Sequence, residues 1–162
     1  MSLVKTLKRI NLKSFWQLVK LGLRNPLFII PTIKATKQCL KISTNYFGRL
    51  HHKNTSANAF RHALWNYLIA KKCTKWSKKV KSILQWTKDT TDWHENAFVN
   101  RELARKMDVH NNAIGRAIFE KHPTTSLENV ILLFLGMAKK SIHIKDKGLF
   151  EKYPFSLVHL TN

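Results

Sequence analysis

Asn-Ala-Phe-Arg-His-Ala-Leu-Trp-Asn-Tyr, residues 58–67, is the most informative stretch of this chain. At 3.6 residues per helical turn, His62, Trp65, Asn66 and Ile69 share one face of a helix. The spacing has the period of a helix rather than the alternation of a half-buried strand. The stretch therefore predicts a helix that carries an imidazole and an amide among apolar side chains. The simpler interpretation of the imidazole is a core histidine bonded to a neighbouring carbonyl.

Similar helical patterns follow one another along the chain. Ser56 or Asn58 is a suitable N-cap for this helix, and Asp92 and Asp108 are suitable N-caps for two later ones. Too few β-branched, turn-bounded runs occur to build a sheet. We therefore predict an all-α fold, a single compact bundle of about six helices, with helical segments at Leu12–Leu23, Thr32–Phe47, Ala59–Lys72, Lys75–Trp86, from Asp92 onward, at Val109–Lys121 and at Ser126–Lys140.

Length and composition fit one domain. A chain of 162 residues with 44% hydrophobic residues can bury a substantial core. Residues 1–162 divide into basic amphipathic helices (1–48), helices that carry the candidate site (58–121), a buried helix (125–140) and a tail (141–162). The tail is expected to be irregular or to form a short strand.

Cysteine usage and hydropathy favour a reducing, cytoplasmic location. Cys39 and Cys73 are too few for a disulfide framework or a zinc-ligand pattern. No convincing signal peptide is present, because the apolar stretch 21–33 is interrupted by Arg24 and two prolines. The most apolar run, Val130–Ala138, is far shorter than the roughly 20 residues that span a bilayer. We expect no transmembrane segment, which leaves peripheral attachment to a membrane open.

The net charge of +20 is concentrated in the first half of the chain. Residues 1–88 contain 19 Lys and Arg and no Asp or Glu, whereas residues 89–162 contain 10 Lys and Arg and 9 acids. A surface so strongly cationic repels itself unless it meets anions. An anionic membrane surface, a phosphate-bearing substrate or nucleic acid is the expected partner, and a simply solvated lysine-rich surface is the alternative.

A second polar segment is Asp92-Trp93-His94-Glu95. On a helix, His94 and Glu95 point about 100° apart, so one can serve a site while the other orients it. Five of the nine acids fall within residues 89–108 of an otherwise cationic chain, which favours a functional interpretation. The alternative is a capping box between Asp92 and Glu95.

A third polar segment extends from Met107 to Arg116. Asp108 and Asn112 are four residues apart, and their oxygens suit a hard cation. An imidazole such as that of His94 would favour a transition metal, so we predict Asp108, Asn112 and His94 as ligands of a divalent metal. Arg116 can bind a phosphate or carboxylate through two hydrogen bonds. The alternatives are an N-cap role for Asp108, loop or cap roles for Asn111 and Asn112, and a surface ion pair for Arg116.

Geometry sets a condition on these segments. If residues 92–121 formed one straight helix, His94 and Asp108 would be about 21 Å apart. The segments can therefore share a site only if the chain reverses between about Phe98 and Met107. The dipeptide Asn100-Arg101 is a weak turn signal there.

These residues also resemble a known family. The blocks Asn-Ala-Phe-Arg-His-Ala (58–63), His-Glu (94–95) and Met-Asp-x-His-Asn-Asn-x-x-Gly-Arg (107–116) are similar to a bacterial domain family of unknown function. That family also occurs as small stand-alone proteins and at the C-termini of wall-associated and Rhs-type polymorphic toxins. The resemblance covers roughly residues 20–120.

The resemblance implies a common helical site, and toxin association favours a hydrolase by analogy alone. The family also has a proline- and glycine-rich loop between its second and third blocks, whereas residues 96–106 here contain neither residue. The implied site residues are Arg61, His62, His94, Glu95, Asp108, Asn111, Asn112 and Gly115.

Three functions remain open from the sequence. The first is a hydrolase for a phosphate-containing substrate, with lipid at a membrane surface as the leading choice and assistance by a divalent metal left open. Its catalytic residues would be His62, His94, Glu95 and Asp108, and its substrate-binding residues Arg61, Asn66, Asn111 and Arg116. The second is a nuclease or nucleic-acid binder, and the third is a non-enzymatic scaffold with a buried polar network.

Overall fold

The computed structural model describes residues 11–98 and 101–161. Within them the chain forms six α-helices, two short 3₁₀ helices (Leu50–His52 and Lys147–Lys152) and one two-stranded sheet. The all-α prediction with a short strand-like tail is confirmed. The elements are α1 (Leu12–Arg24), α2 (Pro26–Phe47), α3 (Ser56–Cys73), α4 (Val80–Ala97), α5 (Glu102–Lys121), α6 (Leu127–Lys139), β1 (Ile142–His143) and β2 (Val158–His159).

The helix α3 lies at the centre of the molecule, and α2, α5 and α6 pack against it. Its large side chains, among them Phe60, Leu64 and Tyr67, are almost fully buried. The predicted caps are wrong, because the helix already begins at Ser56 and Thr55 is the N-cap. A helix surrounded in this way can carry polar side chains only where neighbouring helices supply hydrogen-bond partners.

The first two helices join at a sharp corner. Asn11 caps α1 through its side chain, and α2 follows at once with Pro26 in its first turn, where proline is well tolerated. The predicted start of α2 at Thr32 is wrong, since Pro31 lies within the helix. The buried face of α2 includes Pro31, so tertiary packing outweighs the local cost of proline. Gly48 ends the helix at a positive φ of 56°, a conformation that glycine adopts readily.

The helices α4 and α5 correct two further expectations. The segment around Asp92 does not open a new helix, because α4 is continuous from Val80 to Ala97. Asp108 is not an N-cap either, since α5 begins at Glu102 and places Asp108 in its second turn. The chain reverses between Ala97 and Glu102, close to where the sequence required a turn.

The helix α6 and the tail close the structure. Ser126 caps α6 and accepts a hydrogen bond from the Asn129 backbone amide. The helix is not buried on all sides as expected: Val130 and Phe134 are buried, whereas Leu132 is 58% exposed. Strands β1 and β2 pair in parallel. None of the helices within residues 11–98 and 101–161 has the length and apolarity needed to cross a membrane.

Candidate functional site

One side chain each from α3, α4 and α5 meets at a common point. His62 Nδ1 lies 3.4 Å from Glu95 Oε1, and His62 Nε2 lies 3.3 Å from Asp108 Oδ1. All three residues are at most 7% exposed. The imidazole therefore lies between two buried carboxyl groups, and the convergence that the sequence required is present.

Arg61, the chain neighbour of His62, indicates where the ring proton lies. Its Nη2 is 2.6 Å from His62 Nε2. A guanidinium only donates hydrogen bonds, so Nε2 must accept and we assign the proton to Nδ1. On the other side of the ring, Nδ1 donates to Asn112 Oδ1 at 3.1 Å, close to Glu95. With this assignment, the accepting nitrogen of the ring, Nε2, lies beside Arg61 and Asp108.

Two fully buried asparagines hold this arrangement in place. Asn112 Oδ1 also accepts from Asn66 Nδ2 at 2.6 Å. Asn112 Nδ2 donates to Glu95 Oε1 at 3.0 Å, so the Asn112 amide orients both the His62 imidazole and the Glu95 carboxylate. Arg116 Nη1 in turn donates to Asn66 Oδ1 at 2.8 Å. Asn66, Asn112 and Arg116 thus act as positioning residues, and the predicted substrate contacts of Asn66 and Arg116 have no support in these positions.

The two carboxyl groups have opposite electrostatic surroundings. Burial raises the pKa of Glu95, but hydrogen bonding and charge interaction with His62, aided by Asn112, outweigh it and lower the pKa to about 2. Burial also raises the pKa of Asp108, and there the attraction of His62 offsets only part of the effect. Asp108 Oδ1 is buried and has no hydrogen-bond partner among the described residues. Glu95 is therefore held as a carboxylate, whereas burial makes ionisation of Asp108 less favourable than that of an exposed aspartate.

These groups line an open cavity of about 560 Å³. Lys53 and Arg61 bring cationic groups to it, and Glu95 and Asp108 bring acids. Such a mixture suits an anionic substrate that must also exchange protons. Of the described residues that line the cavity, all but Phe98 have polar or ionisable side chains: His52, Lys53, Asn54, Asn58, Arg61, His62, His94, Glu95, Asp108 and Thr161.

The model of a domain of unknown function, DUF6973, matches residues 19–142. The chain belongs to this family. The matched range contains α2 to α6 and all three residues of the buried His–carboxyl cluster. No curated protein and no solved structure matches the chain. The family thus confirms the domain type that the sequence predicted, without assigning a reaction to it.

Within the family range, a different ligand set from the predicted one could hold a metal ion. His62, Glu95 and Asp108 each offer a donor atom within 4.8 Å of the others, a set that suits Zn²⁺ or Mn²⁺. Of the predicted ligands, Asp108 belongs to this set and His94 does not, and the Asn112 side-chain oxygen already accepts two hydrogen bonds. The Arg61 guanidinium supplies positive charge at this point, so a metal ion would have to displace it from His62 Nε2.

His94 lines the same cavity as part of its aromatic wall. Its ring lies 5.1 Å from that of Trp65 and 4.8 Å from that of Phe98, measured between centroids. Burial lowers the pKa of His94 to about 4, so the ring is neutral near pH 7. The position of the His94 ring among aromatic side chains, together with its neutral state, fits a contact with bound substrate better than proton transfer with Glu95.

Asn111 lies outside the cavity. Its Nδ2 donates to the Val158 carbonyl at 2.9 Å, and its Oδ1 accepts from the Val158 amide at 3.0 Å. Both amide atoms therefore hold β2 against α5. The position of Asn111 indicates a structural role rather than the predicted substrate contact.

We expect Asn111→Ala to loosen the tail while the cavity keeps its chemistry. The substitution leaves two buried backbone groups of Val158 without partners, which costs about 1–3 kcal/mol. Limited proteolysis should then cut within residues 141–161 faster than in the unmodified chain. Gln85→Ala, which removes an exposed side-chain contact within α4, is the matched control and should leave the rate unchanged. Equal cleavage rates for both variants would contradict the structural role.

Sequence reasoning missed several residues of the cavity. Asn58 belongs to the block 58–63, but the sequence suggested only an N-cap role for it. His52, Lys53 and Asn54 precede α3 in a polar stretch that carried no motif, and Thr161 comes from the tail, beyond the family range. The Asn54 carbonyl accepts hydrogen bonds from the Leu160 and Thr161 amides, which brings the two chain segments together. Only such tertiary pairing could have identified Thr161.

Proposed function

We propose that this protein is a hydrolase that cleaves a phosphate ester bound in the cavity. The observation that carries the proposal is His62, held in one tautomer between two carboxyl groups whose pKa values move in opposite directions. Environments that separate two such pKa values are typical of acid–base pairs. Asp108 Oδ1, 3.3 Å from His62 Nε2, has no hydrogen-bond partner among the described residues, which leaves it available to a bound substrate.

The proposed reaction begins with binding of the phosphate. Arg61 and Lys53 bind its oxygens, and Arg61 leaves His62 because an anion attracts a guanidinium more strongly than a neutral ring does. Nε2 of His62 then takes a proton from a water molecule as the water oxygen attacks phosphorus. The bond between phosphorus and the ester oxygen breaks, and protonated Asp108 donates its proton to the leaving oxygen. Glu95 stabilises the imidazolium, which finally returns its proton to Asp108.

Phospholipid headgroups are the preferred substrate class in this proposal. The reason is a separate surface on α1 and α2, where exposed apolar side chains lie among lysines. Nucleic acid is the competing class, since its phosphodiesters offer the same chemistry and Trp76, 53% exposed beside Lys75, could stack on a base. A substrate panel decides between the two classes.

The test measures hydrolysis of phospholipid vesicles, single-stranded DNA, RNA and bis(p-nitrophenyl) phosphate. We expect the unmodified chain to cleave the soluble diester and at least one natural substrate, and His62→Gln to be inactive on all of them. His143→Gln, which changes an exposed histidine far along the chain, is the matched control and should remain active. Absence of turnover by the unmodified chain, with and without added Zn²⁺ or Mn²⁺, would refute the proposal.

A chelator separates acid–base catalysis from metal catalysis at the same cluster. If His62 acts as the base, activity should persist after treatment with EDTA and metal analysis should find no stoichiometric ion. Activity that is lost with EDTA and restored by Zn²⁺ or Mn²⁺ would instead make His62 a ligand, because one Nε2 lone pair cannot serve both roles.

A further inference from the structure

The exposed surface of α1 and of the first turns of α2 is unusually apolar. By helical geometry, Leu12, Trp16 and Leu23 lie on one face of α1, and this face points to solvent. The opposite face, which includes the buried Ser14, packs against the rest of the protein. We call the exposed side chains the α1–α2 face: Leu12, Phe15, Trp16, Leu23, Leu27, Ile29, Ile30 and Ile33.

The α1–α2 face is continuous across the corner between the two helices. A Cβ built on Gly22 would lie 3.2 Å from Ile29 Cδ1, so the end of α1 and the beginning of α2 are in contact. Soluble monomers rarely expose a contiguous apolar surface of this kind, and such surfaces mark interaction sites. Trp16, 55% exposed, has the residue type that is enriched at membrane interfaces.

Cations flank the α1–α2 face without any acid to balance them. Residues 1–88 contain no Asp or Glu, so every ionised side chain of α1 and α2 is a cation. Apolar side chains that insert below cations are the pattern of helices that lie in the headgroup layer of an anionic bilayer. The exposed cations on these helices are Lys13, Lys20, Arg24, Lys34, Lys37 and Lys41.

We propose that the α1–α2 face docks on an anionic phospholipid bilayer, with Trp16 and its apolar neighbours inserted and the lysines against the headgroups. Nucleic acid explains the cations but offers no counterpart for Leu12, Leu23 or Ile30. A bilayer accounts both for the cations and for the exposed apolar side chains of the α1–α2 face.

One side chain connects this surface to the catalytic cavity. Trp93 of α4 donates from Nε1 to the Ser14 carbonyl of α1 at 2.9 Å, and its ring centroid lies 6.5 Å from that of Phe98, which lines the cavity. Trp93 therefore connects α1, which carries part of the docking face, to the wall of the cavity. The identification of phospholipid as the substrate rests on the proposed hydrolase function, whereas docking itself does not.

The test is vesicle flotation with phosphatidylcholine–phosphatidylglycerol vesicles and with pure phosphatidylcholine vesicles. We expect binding to the anionic vesicles, weakened by salt but not abolished, because apolar insertion is not screened. Trp16→Ala should weaken binding about tenfold or more, since a buried large apolar side chain contributes about 1.5–3 kcal/mol. Lys20→Gln should weaken it about fivefold, in line with roughly 1 kcal/mol for each cation at such a surface.

Trp76→Ala is the matched control, because Trp76 is equally exposed and also lies beside lysine, but outside the α1–α2 face. It should bind vesicles as the unmodified chain does. The docking proposal would be overturned if Trp16→Ala and Trp76→Ala lost vesicle binding equally, or if salt abolished binding completely. Tighter binding to oligonucleotides than to anionic vesicles would also overturn it.

Two variants separate docking from catalysis. Trp16→Ala should still cleave the soluble diester while losing activity on vesicles, and His62→Gln should bind vesicles normally without cleaving anything. If His62→Gln binds but the unmodified chain cleaves no phosphate ester, the hydrolase proposal fails and docking stands. If Trp16→Ala cleaves vesicles as fast as the unmodified chain, docking does not serve the site.

Discussion

Gly115→Ala should lower the free energy of unfolding by about 3 kcal/mol or more, the upper end of what overpacking costs. A Cβ at this position would lie 2.1 Å from the Ala63 carbonyl oxygen and 2.8 Å from its carbonyl carbon. Both atoms belong to the backbone of α3, so no side-chain rotation can relieve the contact. The helices α3 and α5 would have to separate, and His62 would move away from Asp108. Urea denaturation measures the loss of stability. Hydrolysis of the soluble diester measures the effect of moving His62 away from Asp108.

Gly136→Ala provides the matched control in the same chain. Gly136 also lies within a helix, but nothing stands within 4 Å of a Cβ built there. Replacement by alanine should therefore raise stability by about 1 kcal/mol through helix propensity alone. If Gly115→Ala were as stable as the unmodified chain, α3 and α5 could not approach as closely as described.

The helical character of the chain could be predicted because it depends on the spacing of apolar residues within each short segment. The apolar spacing of α1 and α3 requires only the geometry of one helix, and the ends at Gly48 and His122 follow from local backbone preferences. Local signals failed at Pro31, Asp92 and Asp108. Proline and aspartate are typical of helix ends, but here each lies within a helix whose buried face determines its extent.

The types of residue in the site were predictable, but their roles were not. Histidine, carboxylates and asparagines in three segments indicated a common site, and His62, Glu95 and Asp108 do meet. Whether an amide faces a ligand or another helix depends on tertiary contacts. Asn112 and Asn111 are adjacent in sequence, yet one orients Glu95 and the other holds the tail. No pattern within a helix distinguishes these two positions.

Asp108→Asn should make the protein more stable and much less active. The wild-type carboxyl is buried, its pKa is raised chiefly by burial, and its Oδ1 lacks a hydrogen-bond partner among the described residues. Burial makes ionisation of this carboxyl costly, and an amide of the same shape cannot ionise, so stability at neutral pH should rise by on the order of 1 kcal/mol. The amide cannot donate a proton as an acid does, so hydrolysis should fall by about 10²–10⁴-fold. Asp89→Asn, at a half-buried position in α4 outside the cavity, should change neither stability nor activity appreciably.

Glu95→Gln should have the opposite effect on stability, although the two carboxyl groups lie on either side of one imidazole. Hydrogen bonds and charge from His62 stabilise the Glu95 carboxylate, so the substitution should cost about 1–3 kcal/mol. Because the pKa is lowered from 4.5 to about 2, this contribution is fully present above pH 4.5 and is lost as the pH falls toward 2. Denaturation curves should therefore separate Glu95→Gln from the unmodified chain at pH 7 and bring them together near pH 2. If both carboxyl variants were equally destabilised at pH 7, Asp108 would be a structural partner of His62, and its assignment as the acid would be wrong.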